Sequence, residues 1–195
     1  MINDHKYISH IASGNQKIFK NLMEQFADEL FFFAKGFIRN SEVAEEIVSD
    51  VFVKIWKNRT ELNKIKNLKS YLFICVKNGC LSYLRKTKNE KVISIDEFND
   101  FQFIPVDGPE SEIINKEILS QIFEAIEQLP PKCKAAFTLA KINGLRHKEI
   151  AEVMGVSEKT VNNHIVSAIK KITTALNITK KPTEKKTSFK RASLF

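Results

Sequence analysis

Two adjacent asparagines, Asn162 and Asn163, lie in the segment HKEIAEVMGVSEKTVNNHIVSAIKKI (residues 147–172), with Lys159, Thr160, Ser167 and Lys170 spaced around them. An amide carries a donor and an acceptor side by side, as the edge of a base does, and hydroxyl and ammonium groups donate to phosphate oxygens. These residues are equipped to read duplex DNA. Lys148 and Lys171 add phosphate donors nearby, and His164 suits packing or a phosphate contact better than metal ligation. The segment reads as two short helices that would present this face. Ile150, Ala151 and Met154 form an apolar stripe on the first, and Ala151 is small enough for a second helix to cross closely. Gly155 supplies the positive φ of a helix stop. Ser157 can cap the second helix, with Val156 and Val161 placed as a hydrophobic staple. Val161, Ile165, Ala168, Ile169 and Ile172 then continue a stripe expected to be buried opposite the polar face. Turn glycine, cap, staple and amide face coincide at the spacing of a helix-turn-helix, which a merely solvated helical hairpin does not require.

Composition narrows the rest. A chain of 195 residues, 43% hydrophobic and 28% charged, has enough apolar material for a folded core. Cys75, Cys80 and Cys133 form no CxxC pair, lack histidines at zinc-ligand spacing and are odd in number, so they are expected as buried apolar residues. The start MINDHKYISH lacks a basic-then-apolar leader, and the apolar run LFFFAKGFI is interrupted by Lys35 and too short to span a bilayer, which points to the cytoplasm. The net charge of +8 is unevenly spread. Residues 1–90 hold 15 basic against 10 acidic side chains, residues 91–130 hold 2 against 9, and residues 131–195 hold 14 against 4. A basic lobe that also carries the amide-rich helix is best explained by attraction to phosphates.

The chain reads as all-α. Ile18, Phe19, Leu22, Met23, Phe26, Leu30, Phe33 and Phe37 repeat at helical steps and predict a long amphipathic helix from about Asn15 to Arg39. Ser41 can cap the next, in which Val43, Ile47, Val51 and Ile55 share a face. A polar loop over 58–69 precedes a third helix, SYLFICVKNGCLSYLRK, with Leu72, Cys75, Val76 and Leu84 inward and Lys77, Asn78, Arg85, Lys86 and Lys88 on a polar, basic side. Periodicity fails from Asp96 to Pro109, as in a linker. Ser111 begins a further helix, Pro130-Pro131 ends it and starts the next, and Asn143-Gly144 closes that one. Two small helical domains joined by a flexible acidic linker are therefore expected: residues 1–92, a linker over 93–110, a four-helix domain over 111–176 ending in the helix-turn-helix, and a basic, disordered tail over 177–195.

A helix-turn-helix alone leaves repressor, response-regulator effector and initiation factor open. The N-terminal run GNQKIFKNLMEQF, EVAEEIVSDVFVKIWKNR and LKSYLFICVKNGCLSYLRK, followed by the linker and EQLPPKCKAAFTLAKINGLRHKEIAEVMGVSEKTVNNHIVSAIKKI, resembles an RNA polymerase sigma factor of the extracytoplasmic-function type from Gly14 to about Ile172. The resemblance implies a region-2-like first domain and a region-4-like second one. It implies that the helix EEIVSDVFVKIW docks on the β′ coiled coil of core RNA polymerase, with Glu46, Ser49, Asp50 and Lys54 in contact, and that the second domain meets the β flap. Ser49 departs from the glutamine common there.

Promoter DNA would be the other partner. The resemblance places a flipped base of the −10 element at the loop from about Leu62 to Lys69 and at Asn78, with Lys66, Lys69, Lys77, Arg85, Lys86 and Lys88 along the separated strand. Ser82, where the family often has Asp or Asn, receives no role. The −35 element would be read by Thr160, Asn162, Asn163 and Ser167, with Lys148, Lys159, Lys170 and Lys171 on phosphates. The acidic linker would thread into the polymerase, and an anti-sigma factor, soluble or membrane-bound, is implied as a further partner. The sequence carries no paired carboxylates, glycine-rich phosphate loop or nucleophile beside a base, so no catalysis, metal, cofactor or small-molecule substrate is expected. Two other classes fit the residues: a stand-alone, dimeric DNA-binding regulator, and an adaptor that uses its helices only on proteins.

Overall fold

Asn15 starts one of the two 20-residue helices that form the core. Its side chain accepts from the Ile18 amide at 3.1 Å, and the helix then buries Phe19, Leu22, Phe26, Leu30, Phe33 and Ala34 along one face. In the computed structural model, which describes residues 5–87, 98, 100–104 and 116–176, every regular element is helical. The order is α1 (His5–Ala12), α2 (Gln16–Lys35), α3 (Ser41–Lys57), a 3-10 turn (Arg59–Lys64), α4 (Leu68–Thr87), α5 (Lys116–Glu127), α6 (Pro131–Lys141), α7 (His147–Met154) and α8 (Glu158–Ala175). The tail over 177–195, Lys88, and the start of the helix expected from Ser111 lie outside the described residues.

Several boundaries differ from the sequence reading. α1 was not legible, yet Ile8 and Ile11 bury its inner face against the 3-10 turn. The cap of α3 is Asn40, whose side chain accepts from the Val43 amide at 3.1 Å; Ser41 is the first helical residue and hydrogen-bonds Lys35 instead. The stretch read as a polar loop coils into the 3-10 turn because Leu62 is buried and pulls it inward. α2, α3 and α4 pack on one another through Phe26, Leu30, Phe33, Val48, Leu72 and Phe73. Phe33 sits at the centre, with ring centroids 5.0 Å from Phe73 and 5.3 Å from Phe37 in edge-to-face geometry.

The second lobe is built from α5–α8, with α8 packed on α5, α6 and α7. Pro131 occupies the first turn of α6, where its missing N–H has no cost. The lobes are not separated: α7 lies against α4, and one apolar cluster runs continuously from Ile8 in α1 to Ile165 in α8. No helix among the described residues is long and apolar enough to cross a membrane.

Candidate nucleic-acid interface

Gly155 adopts φ +67°, a left-handed conformation that a residue with a Cβ rarely takes, and this turns the chain between α7 and α8. Ser157 then caps α8 by accepting from the Thr160 amide at 3.1 Å, and its hydroxyl lies 2.8 Å from that of Thr160. Val161, Ile165, Ala168 and Ile172 bury one face. Lys159, Asn162, Asn163, Lys170 and Lys171 are exposed on other sides of the helix, Thr160 and Ser167 are partly exposed, and Lys148 is exposed on α7. Every residue assigned to the duplex is thus at the surface, although the Thr160 hydroxyl is engaged in the cap. Ile169 is a correction to the expected buried stripe. It is 40% exposed, one residue and so about 100° round the helix from Ala168, and with Val166 (57%) it leaves an apolar strip beside the asparagines.

His164 is half-buried with Nδ1 3.6 Å from Cys133 Sγ, and burial together with the nearby Lys132 charge pushes its pKa down. It is therefore neutral at pH 7 and packs rather than attracting phosphate. Replacing Asn162 and Asn163 together by alanine is expected to reduce discrimination between the cognate duplex and a scrambled one by about 1–3 kcal/mol. Lys170→Ala should weaken all sequences alike and lower the salt slope by about one counterion. Competition binding over a salt series checks both; an unchanged sequence preference in the double variant would remove the amides as readers.

Glu46, Asp50 and Lys54 stand at four-residue steps on α3 and line one side of a groove of about 600 Å³, with Asn78, Ser82 and Lys86 of α4 among the residues on the other. Ser49 is exposed on α3 but does not line this groove. Burial raises the Cys75 thiol at its floor, and burial pushes the Cys80 thiol to about 12, so neither is a reactive thiolate at neutral pH. The structure therefore sets Asn78 and Lys86 beside the acidic α3 row.

The remaining basic residues divide. Lys66, Arg85 and Lys86 are exposed. Lys77 is a correction to the basic side expected for α4, being only 7% exposed, with Nζ 6.0 Å from the Phe98 ring. It falls in phase with buried Phe73 and Leu81, four residues away on each side, a signal that the helical pattern contained. Lys69 is drawn inward, pairing with Glu29 at 3.0 Å, donating to the Asn143 carbonyl at 2.6 Å and approaching the Phe26 ring at 5.6 Å.

Asn67 and Ser70, at the start of α4, were not singled out by the sequence. The Asn67 side chain accepts from the Ser70 amide at 2.9 Å and donates to Glu149 Oε1 at 2.6 Å, while the Ser70 hydroxyl donates to Glu152 Oε2 at 2.9 Å. These contacts join residues 82 positions apart, which no local pattern reveals.

Burial alone would raise the Glu149 carboxyl. The Arg146 amide and guanidinium and the Asn67 amide outweigh it and hold the pKa below the ordinary 4.5. Because the folded value is the lower one, this contribution to stability is present above about pH 4.5 and is lost as the pH falls through the folded value. Urea titrations from about pH 6 to pH 3 should therefore show a steeper acid loss in the natural chain than in Glu149→Gln; parallel curves would contradict it.

Comparisons with known proteins match this geometry. A family model described as Sigma-70 region 2 matches residues 22–90, and one described as Sigma-70, region 4 matches residues 119–172. Among curated relatives, the "ECF RNA polymerase sigma-E factor" of Haemophilus influenzae is 24% identical over 174 residues, covering 86% of this chain and 92% of that protein. The "ECF RNA polymerase sigma factor SigW" of Bacillus subtilis is 23% identical over 167 residues, covering 82% and 89%. Among solved structures, CnrH in complex with the cytosolic domain of CnrY aligns with TM-score 0.59 and 20% identity over 91% of this chain and 99% of that one. The sigma factor RpoE in complex with the anti-sigma factor NepR, from Bartonella quintana, aligns with TM-score 0.58 and 19% identity over 84% and 99%.

Proposed function

The chain belongs to the sigma-70 family, as a sigma factor of the extracytoplasmic-function type, and on that premise we propose how its surfaces divide the work of promoter-specific initiation. It binds core RNA polymerase and promoter DNA and catalyses nothing itself; the polymerase supplies the chemistry. In this reading residues 1–92 form the region-2 lobe, 93–110 the linker and 111–176 the region-4 lobe. The observation that carries it is the presence on one chain of a capped helix with an exposed amide-and-lysine surface, α8, and of a separate acidic helical row, α3, against the Asn78 groove.

The row Glu46, Asp50 and Lys54, with Ser49 at its edge, docks on the basic and acidic side chains of the β′ coiled coil. Asn78 offers its amide to an unpaired −10 base, with Lys66, Arg85 and Lys86 holding the strand. Asn162, Asn163, Thr160 and Ser167 read the −35 duplex, while Lys148, Lys159, Lys170 and Lys171 hold its phosphates and the apolar strip of Val166 and Ile169 remains for a protein contact such as the β flap. The chain acts in the cytoplasm, where an anti-sigma polypeptide would occupy these surfaces when the promoter is silent; one solved structure similar to this chain is a sigma factor in complex with an anti-sigma factor.

Assembly order tests this. The chain alone should bind promoter duplex weakly and as a monomer, and core polymerase should convert it to a stable, promoter-selective complex. Permanganate reactivity of the −10 thymines should appear in that complex and be reduced in Asn78→Ala. Tight binding to a two-fold symmetric operator without polymerase would instead make it a stand-alone regulator.

A further inference from the structure

Residues 98 and 100–104, the described part of the linker, depart from what its composition suggests. Acidic and interrupted by prolines, the linker reads as a spacer, yet Phe98, Phe101 and Phe103 are all buried. Phe98 and Phe101 lie on a shelf at the end of α2, with ring centroids 5.3 Å and 5.1 Å from Phe37, and Phe101 is 5.9 Å from Phe33. Gly36 is the floor of this shelf. A Cβ there would stand 2.4 Å from the Phe101 ring, and the Gln102 amide donates to the Gly36 carbonyl at 2.9 Å. One residue later the chain crosses to the other lobe. Phe103 packs 5.6 Å from Phe123 of α5, and its amide donates to Glu127 Oε1 at 2.8 Å, while Glu127 Oε2 is paired with the buried Lys134 at 2.8 Å. Phe98 and Phe101 are thereby fastened to the first lobe and Phe103 to the second.

What this segment covers gives it a consequence. Phe98 lies over Lys77, and Lys69, paired with Glu29 within the first lobe, donates across the closed lobes to the Asn143 carbonyl, so two of the lysines assigned to the separated strand are already engaged. The closure is also imperfect. Behind Phe101 is a cavity of about 180 Å³ lined on the second lobe by Thr138, Ile142 and Asn143, and the buried Thr138 hydroxyl and Asn143 side-chain oxygen have no hydrogen-bond partner among the described residues. Unfilled volume and unsatisfied polar atoms each subtract from the stability of the closed arrangement. A ligand that binds only the open arrangement needs little differential affinity to shift such an equilibrium.

We propose that Phe98, Phe101 and Phe103 act as a releasable strap that holds the two lobes closed over Lys77 and Lys69, so that promoter engagement requires Phe98 and Phe101 to leave the Gly36 shelf. The strap and the closure stand on the contacts alone; the link to promoter engagement rests on the function proposed above. Gly36 provides a clean probe because its φ of −61° suits alanine, so Gly36→Ala evicts the Phe101 ring without deleting any side chain. Phe101→Ala releases the strap by the opposite route.

The test is lysine acylation of the full chain with a soluble active ester, read residue by residue by mass spectrometry, alongside small-angle scattering. In the natural chain Lys77 should react at least about tenfold more slowly than exposed Lys86, and both variants should raise Lys77 reactivity by about tenfold and enlarge the radius of gyration. Addition of core polymerase and promoter should then give faster productive assembly in both variants. If Lys77 of the natural chain reacts as fast as Lys86, or if neither variant changes reactivity and scattering, the strap is wrong. If both variants open the chain but assembly is no faster than in the natural chain, the claim that the strap limits promoter engagement is overturned. Absence of transcription in every form, with the acylation pattern as expected, would instead overturn the function proposed above and leave the strap standing.

Discussion

Reversing the charge of Glu46 and Asp50 together, as Glu46→Lys with Asp50→Lys, is expected to reduce start-site-specific transcription with core polymerase by about a hundredfold or more. Both carboxylates are exposed on α3 and line the groove facing Asn78 and Lys86. Placing like charges against a docking partner costs several kcal/mol, and about 2.7 kcal/mol already corresponds to a hundredfold. Folding should survive, because an exposed like-charge row with Lys54 at four-residue spacing costs only a few tenths of a kcal/mol per pair. The far-ultraviolet circular dichroism and the residual duplex binding through α8 should therefore match the natural chain. Loss of both transcription and helical content would mean that the substitutions had damaged the fold rather than the docking surface.

The largest stability effect is expected at Phe33. It is 1% exposed and its ring meets Phe37, Phe73 and Phe101, so alanine there leaves a cavity where α2, α4 and the strap converge. Phe→Ala in such a site costs about 3–5 kcal/mol, and in a domain of this size each kcal/mol lowers Tm by about 2–4 °C. A fall of roughly 10 °C in thermal denaturation is the expected result. A fall of less than about 3 °C would show that the site collapses around the deletion and that Phe33 is not the keystone of the aromatic cluster.

The helix-turn-helix was legible in the sequence because its determinants are local. Gly155, Ser157 and the Val161–Ile165–Ala168 stripe act within a few residues of one another, and each is observed in the role its chemistry dictates. The helical class and the inward face of α2 were legible for the same reason, except that Met23, in phase with that face, is 37% exposed. Lys77 carries conflicting signals: its charge suggests the surface, whereas its phase with buried Phe73 and Leu81 places it inside, and packing follows the phase. Asn67, Ser70, Glu149 and Glu152 were not legible, since their contacts connect segments 82 residues apart and have no periodic signature. The linker was obscured by its own composition. Acidic residues, proline and glycine signal a spacer, and the three phenylalanines bury themselves only because the end of α2, floored by Gly36, and the apolar side of α5 receive them.

The central claim is that this chain confers promoter choice on a polymerase that lacks it. Run-off transcription by purified core RNA polymerase over a library of randomised promoters, with sequencing of the transcript starts, tests it most directly. With the chain present, starts should concentrate at one position downstream of a shared −35 and −10 pair, and Asn162→Ala with Asn163→Ala should relax only the −35 part of that consensus. A start distribution identical with and without the chain, despite its binding to DNA, would contradict the claim.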